Sequence, residues 1–462
     1  MIDKVYVNRT LNLKRIRFLG LDMDHTLIRY KVKEFEELSH SVIREKLIKE
    51  KNYPEIVRSL PFDYEAAIRG LVIDRKKGNL LKLNRHSAIR ASLHGLKPID
   101  YKTQQKLYHS TYIDLSDSSY LAVDTAFSLS LAIIISQLID LKENNRELNL
   151  PDFSVIVDDV LYSLDMAHRD GSLKNQVRND LQRFIVKDEE VVAGLEKFKT
   201  HGKKIFIVTN SDFHYTKLLL DYAINPFLKN HKSWTDLFEI VVVSAQKPRF
   251  FYDNLDYLKV NPADGSMTNQ NDKLTPGIYQ GGCSDKFTKD FAVQPDEILY
   301  IGDHIYGDIL RLKKDCGWRT AMVIDELAQE VEKNKKAAEL VNEIDRLMKV
   351  KEPLEDEFTD LMTSKVTCPP GGEFEKINQR IDKLQDEIGD IDTEISKRIK
   401  THQTMYNEKW GQLMRAGNEE SYFAYQVDRY ACVYMAKLGD LLELSPRTYF
   451  RAPRRPLAHE IV

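Results

Sequence analysis

Two aspartates, Asp22 and Asp24, stand two positions apart directly after the apolar run Phe18-Leu19-Gly20-Leu21, and Thr26 adds a hydroxyl two residues later. A stretch of branched and aromatic residues that stops at polar groups predicts a buried strand ending in a site. Two buried carboxylates this close repel one another. A divalent cation and a reacting phosphate relieve that repulsion, leaving one carboxylate to attack phosphorus and the other to move protons. Taken alone, the pattern also fits a strand that ends in a polar turn with Asp24 as a helix cap.

Phosphoryl transfer through a carboxylate needs a nucleophile, a metal, neutralisation of the non-bridging oxygens and a proton handler. Three further strand ends complete the set. Lys204-Ile205-Phe206-Ile207-Val208 leads into Thr209, Asn210 and Ser211; Phe238 to Val243 precedes Ser244 and Lys247; Ile298-Leu299-Tyr300-Ile301 runs into Gly302 and Asp303, with Asp308 five residues on. Asp22 is the candidate nucleophile, forming an aspartyl-phosphate, and Asp24 the acid toward the leaving group and base toward water. Thr209, Asn210 and Ser211 are candidate donors to phosphate oxygens, and Lys247 places a point charge on the transferring group. Asp303 and Asp308 complete a hard oxygen site suited to Mg2+. Each piece has a plainer reading as a helix cap, an exposed turn or an acidic loop. Their arrival in the required order after buried strands decides for catalysis.

These residues need a scaffold that gathers strand ends. Apolar strands alternating with helical segments such as Glu189 to His201 and Phe213 to Ala223, and closing with Thr320 to Ile324, predict an α/β fold. The sheet is doubly wound and parallel, with ligands at the carboxyl ends of its strands. Residues 1–30 and 186–326 form this core, and 31–185 an inserted, mainly helical domain. Within the insertion, Phe35, Leu38, Val42, Ile43 and Leu47 predict an amphipathic helix. Leu71 to Asp74 and Leu80 to Leu83 predict a hairpin, and Tyr120 to Lys142 and Val155 to Phe184 further helices. From 327 to 415 the chain is highly charged with apolar residues at spacings of three and four, including Ile377, Ile381, Leu384 and Ile388; this predicts a helical hairpin or coiled-coil arm broken at Cys368 to Gly372. Residues 416–462 are expected to pack back on the core.

Bulk properties exclude several classes. With 68 basic and 71 acidic side chains the formal charge is −3, so nothing draws the chain to nucleic acid or an anionic membrane, and an anionic ligand needs a local site. The four cysteines are far apart and suggest neither zinc nor a disulfide framework, which fits a reducing, cytoplasmic location. The N-terminus lacks the apolar core of a signal peptide, and the apolar stretch from Thr125 to Ile139 is shorter than the ~20 residues of a membrane helix.

Asp22-Met23-Asp24-His25-Thr26-Leu27, Val208-Thr209-Asn210-Ser211, Lys247-Pro248 and Gly302-Asp303-His304-Ile305-Tyr306-Gly307-Asp308 resemble the four signature motifs of haloacid dehalogenase superfamily phosphatases. Arg69 to Asp74, Gly78 to Lys82, Gly171 to Lys174 and Tyr449 to Glu460 are similar to one branch, the cytosolic purine 5'-nucleotidases acting on IMP and GMP. The resemblance implies magnesium held by Asp22, the carbonyl of Asp24 and Asp303, with Asp308 on a metal-bound water. It implies Asp165, His168 and Lys174 as readers of a purine nucleotide, and a homo-oligomer such as a tetramer. Two departures stand out: Leu161 replaces the family arginine four residues before Asp165, and the base-stacking phenylalanine falls near Tyr112 or Ile113. The family's long acidic tail does not follow, so tail-dependent regulation is not expected.

The expectation is a magnesium-dependent hydrolase of purine nucleoside 5'-monophosphates, able to pass its phosphate to a nucleoside that enters before water. The rivals are a phosphatase for another small ester and a non-catalytic interaction protein built on the helical arm.

Overall fold

The computed structural model describes residues 4–109 and 112–460. Among them, ten strands form the main sheet: β1 (Val5–Val7), β2 (Phe18–Leu21), β3 (Lys204–Val208), β4 (Ile240–Val243), β5 (Tyr257–Val260), β6 (Met267–Asn269), β7 (Gly277–Gly281), β8 (Ile298–Gly302), β9 (Arg319–Val323) and β10 (Val433–Met435). Their spatial order is β1-β10-β9-β8-β2-β3-β4-β7-β5-β6. The seven strands from β10 to β7 run parallel, while β1, β5 and β6 are antiparallel additions at the edges.

The sheet is covered on both faces because its central strands are apolar at almost every position, Lys204 at the start of β3 being the exposed exception. Leu19 and Leu21 of β2 join one cluster with Ile205, Ile207, Leu299 and Ile301. Phe18 joins the other with Phe206, Val208, Ile298 and Tyr300. Each such side chain removed from water stabilises the fold by about 1.5–3 kcal/mol. Gly20 sits where a Cβ would lie 2.4 Å from Phe206 and 2.7 Å from Tyr300. Its missing side chain is what lets those two rings close over β2, and the Tyr300 hydroxyl thereby reaches the site.

The insertion leaves and rejoins the core through an antiparallel pair, Arg29–Tyr30 against Ile185–Val186. It holds α1 (Val32–Lys51), α2 (Leu129–Asn144), α3 (Phe153–Arg169) and α4 (Ser172–Asn179). It also carries a five-stranded antiparallel sheet ordered Lys97–Pro98, Ile89–His94, Asn79–Leu83, Leu71–Asp74, Tyr120–Ala122. Tyr120 to Ala122, expected as helix, pairs with Val72 to Asp74, and helical structure starts at Ala126. A ladder to a strand nearly fifty residues away overrides local propensity there.

Ala328–Gln412 forms a second compact unit. Its helices α5 (Leu327–Thr367) and α6 (Gly372–Thr404) make an antiparallel hairpin, tied by Arg380 to Glu357 at 2.6 Å, Lys351 to Asp392 at 2.7 Å and Arg398 to Glu343 at 2.9 Å. The four cysteines are free thiols, and no helix among the described residues is long and apolar enough to cross a membrane.

Candidate active site

The carboxyl ends of β2, β3, β4 and β8 converge. The Asp22 amide donates to the Ile301 carbonyl (2.8 Å), the last tie between β2 and β8 before the strand ends. Asp22 Oδ1 accepts from the Met23 amide (2.7 Å) and lies 2.6 Å from Lys247 Nζ. The same ammonium donates to Asp308 Oδ1 (2.6 Å) and to the Tyr300 hydroxyl (3.2 Å), and that hydroxyl donates to the Val208 carbonyl (2.9 Å). One buried lysine thus bridges Asp22 and Asp308, which lie far apart in the sequence.

Asp22, Asp303 and Asp308 bring carboxylate oxygens within 4.8 Å of one another. All three are buried, and Asp303 Oδ2 has no hydrogen-bond partner. Burial first, then Asp308, pushes the Asp22 carboxyl up to about 7 against the pull of Lys247. Burial likewise holds Asp303 well above the usual carboxylate range. For Lys247, the attraction of Asp22 and Asp308 outweighs the cost of burial and keeps its proton firmly bound. Three buried carboxylates facing one ammonium leave an excess of negative charge, and the donor set is all hard oxygen. Such a site fits Mg2+ or a similar cation.

Asp24 has a separate set of partners. Its Oδ1 accepts from the Tyr30 hydroxyl (2.6 Å) and its Oδ2 from the Ser211 hydroxyl (2.9 Å), while Tyr30 lies 3.0 Å from Tyr215. Burial and then the neighbouring Asp22 raise its proton affinity, and the two hydroxyl donors offset part of that rise.

The remaining expected residues divide. Thr209 is buried, and its hydroxyl accepts from the Ser211 amide (3.1 Å). The Asn210 side chain holds the backbone of Lys247, accepting from its amide (2.6 Å) and donating to its carbonyl (3.1 Å), so it aims the lysine. Asp24, Asn210 and Ser211 line a cavity of about 850 Å³, whose walls include Phe127, Asp165, His168 and Lys174 from the insertion. That volume suits a small-molecule ligand. Lys174 donates to Asp212 (2.9 Å), linking α4 to the cap of the core helix Phe213–Ala223. Burial, then Lys174, lowers the His168 pKa and favours the neutral imidazole, which meets Phe127 edge to face at 5.7 Å.

The expected position of the stacking aromatic is corrected. Tyr112 is 64% exposed and Ile113 packs in the core of the small sheet, with neither in the cavity wall. Phe127 lines the cavity instead, from the one-turn segment Ala126–Ser128 that precedes α2. It lies inside the apolar stretch read as a core helix, and only its aromatic type could have singled it out. Tyr30 and Arg69 are further participants not singled out for a role. Arg69, fully buried, donates to the Asp303 carbonyl (3.2 Å) and to Glu326 (3.1 Å), steadying the loop after β8.

A parallel sheet that delivers paired carboxylates, a bridging lysine and a second acidic pair to one point, beneath an inserted domain, defines a phosphatase of the haloacid dehalogenase superfamily. Residues 5–462 match the 5' nucleotidase family, and the chain belongs to that family. It is a phosphoric monoester hydrolase, a 5'-nucleotidase acting on nucleoside monophosphates. A 5'-nucleotidase domain-containing protein of Dictyostelium discoideum is 27% identical over 465 residues, spanning 99% of this chain and 74% of that protein. Among solved structures, L-2-haloacid dehalogenase from Xanthobacter autotrophicus aligns over 68% of this chain and 82% of its own, with 14% identity and a TM-score of 0.23.

Proposed function

We propose that the chain hydrolyses purine nucleoside 5'-monophosphates of the IMP and GMP class through a phosphorylated Asp22. The observation that carries this reading is one cavity lined by Asp24, Asn210 and Ser211 from the strand ends and by Phe127, Asp165 and His168 from the insertion, polar groups and an aromatic ring around one space. Asp22 Oδ attacks phosphorus, and the bond to O5' breaks as Asp24 gives its proton to the departing oxygen. Asp24 then takes a proton from water, whose oxygen attacks phosphorus, releases inorganic phosphate and restores Asp22. Lys247 neutralises the transferring group, oriented by Asn210. Asp22, the Asp24 carbonyl and Asp303, with Asp308 beside them, would hold magnesium, which would neutralise charge on the phosphoryl oxygens. A nucleoside 5'-hydroxyl in place of water would accept the phosphate. The reading includes a cytoplasmic homo-oligomer, a tetramer by resemblance.

The test is a side-by-side assay of IMP, GMP, AMP, UMP, ribose 5-phosphate and unrelated esters in magnesium. IMP and GMP are expected to lead, and Asp22→Asn to abolish turnover. A non-nucleotide ester turned over far faster than IMP, or unchanged activity in Asp22→Asn, rejects the proposal.

A further inference from the structure

The three carboxylates of the cation site are held unequally. Asp22 accepts from the Met23 amide and pairs with Lys247, and Asp308 pairs with Lys247 and accepts from the His304 amide (3.3 Å). The Asp303 carboxylate accepts no hydrogen bond and joins no ion pair among the described residues, and its Oδ2 is buried without a partner. The polar tie that holds this residue is on its backbone instead: Arg69 Nη1 donates to the Asp303 carbonyl oxygen at 3.2 Å.

Arg69 belongs to the insertion, just before the strand Leu71–Asp74, and is itself immobilised. Its Nε donates to Glu326 Oε1 at 3.1 Å and its Nη2 lies 3.0 Å from Oε2. Glu326, shortly after β9, thereby fixes the plane of the guanidinium and leaves Nη1 for Asp303. The Phe423 ring covers the guanidinium at 5.8 Å, and a Cβ on the next residue, Gly70, would lie 2.6 Å from Phe423 Cβ. Folding stability alone does not account for a buried ion pair of this kind, because an apolar pair of similar volume often serves as well. What an apolar pair cannot supply is the donor to the Asp303 carbonyl.

We infer that Arg69 is a positioning residue for the cation site: by gripping the Asp303 peptide it aims a carboxylate that has no tether of its own, so the insertion helps to build the metal site. The inference rests on the magnesium site proposed above. A ligand locked in place by its supporting shell binds a cation without being ordered at that moment. Lysine at 69 keeps the charge but lacks the planar fork, so it cannot hold both Glu326 oxygens and reach Asp303 at once.

The experiment titrates Mg2+ alone into the full chain by calorimetry and follows thermal denaturation without the ion, for wild type, Arg69→Lys, Arg69→Met and the double variant Arg69→Met/Glu326→Leu. Mg2+ affinity is expected to fall by about 10- to 100-fold in Arg69→Met, the usual effect of losing a partner behind a metal ligand, and by less in Arg69→Lys. The double variant removes the uncompensated Glu326 charge and recovers melting temperature lost in Arg69→Met, while its Mg2+ affinity stays low. In IMP hydrolysis the loss in Arg69→Lys shrinks as Mg2+ is raised, with KM for IMP at saturating Mg2+ unchanged. Wild-type Mg2+ affinity in Arg69→Lys and in the double variant overturns the inference alone, as does affinity that returns together with the melting temperature, which marks a purely structural role. A wild type that binds no Mg2+ overturns the inference together with the magnesium site beneath it.

Discussion

Lys247 balances Asp22 and Asp308, 2.6 Å away on either side, and under the proposed mechanism it also neutralises the transferring phosphoryl group. Replacing it with methionine should lower kcat by roughly 10²- to 10³-fold, the usual cost of losing one preorganised charge. The same variant leaves buried carboxylates uncompensated. Its melting temperature should therefore rise more on adding Mg2+ than that of the wild type, a comparison made by thermal denaturation with and without the ion. Equal rises would show that Lys247 does not share the charge-balancing task with the cation. Tyr30 belongs to the same scale. Its hydroxyl is one of two donors to Asp24, and Tyr30→Phe should reduce kcat about tenfold with KM little changed, as expected for one hydrogen bond to a charged group. A change in KM alone would place Tyr30 in substrate binding instead.

At the level of elements, the ends of β2 and β8 meet with almost no spare room. A Cβ on Gly302 would lie 2.5 Å from Asp308 Cβ and Oδ2. Gly302→Ala should thus displace Asp308, cost about 1–3 kcal/mol of stability and weaken Mg2+ binding, read by denaturation and by titration calorimetry. Unaltered Mg2+ affinity would separate Asp308 from the cation site. The elements differ in how far the sequence foretold them. β2, β4 and β8 are apolar throughout, and β3 and β9 become so after a polar start at Lys204 and at Arg319-Thr320, so local pattern was enough. β5, β6 and β7 were not foreseen: Tyr257–Val260 is buried only at its two ends, Met267–Asn269 is exposed throughout, and the pairing of β5 with both β6 and β7 is a tertiary event. β10 joins the sheet beside β9 from more than a hundred residues away, a contact that no window of sequence contains.

For the molecule as a whole, the insertion carries a buried charge problem of its own. Glu36 of α1 is fully buried and accepts from the Ser130 amide of α2 (2.6 Å). Burial pushes its carboxyl up from 4.5 to about 8. Between those values the unfolded chain has lost the proton and the folded chain keeps it, so stability falls as pH rises. The contribution is complete below about 4.5 and gone above about 8. Glu36→Gln should flatten this decline and raise the melting temperature at pH 8 relative to wild type. An identical pH dependence in the variant would show that Glu36 is not the group responsible.

The convergence of the polar groups was legible in the sequence because each lies at or shortly after the end of a buried strand. A parallel sheet collects strand ends by construction, so the meeting of Asp22, Lys247, Asp303 and Asp308 needed only order and spacing to be expected. The wall of the cavity followed a different rule. An amphipathic pattern shows that one side of a helix is buried, but not what it faces. The packing of the insertion brings Phe127, His168 and Arg169 to the cavity while leaving Leu161 and Ile113 outside it. The strand-end cluster was therefore set locally, and the lining of the cavity by contacts between segments distant in the chain.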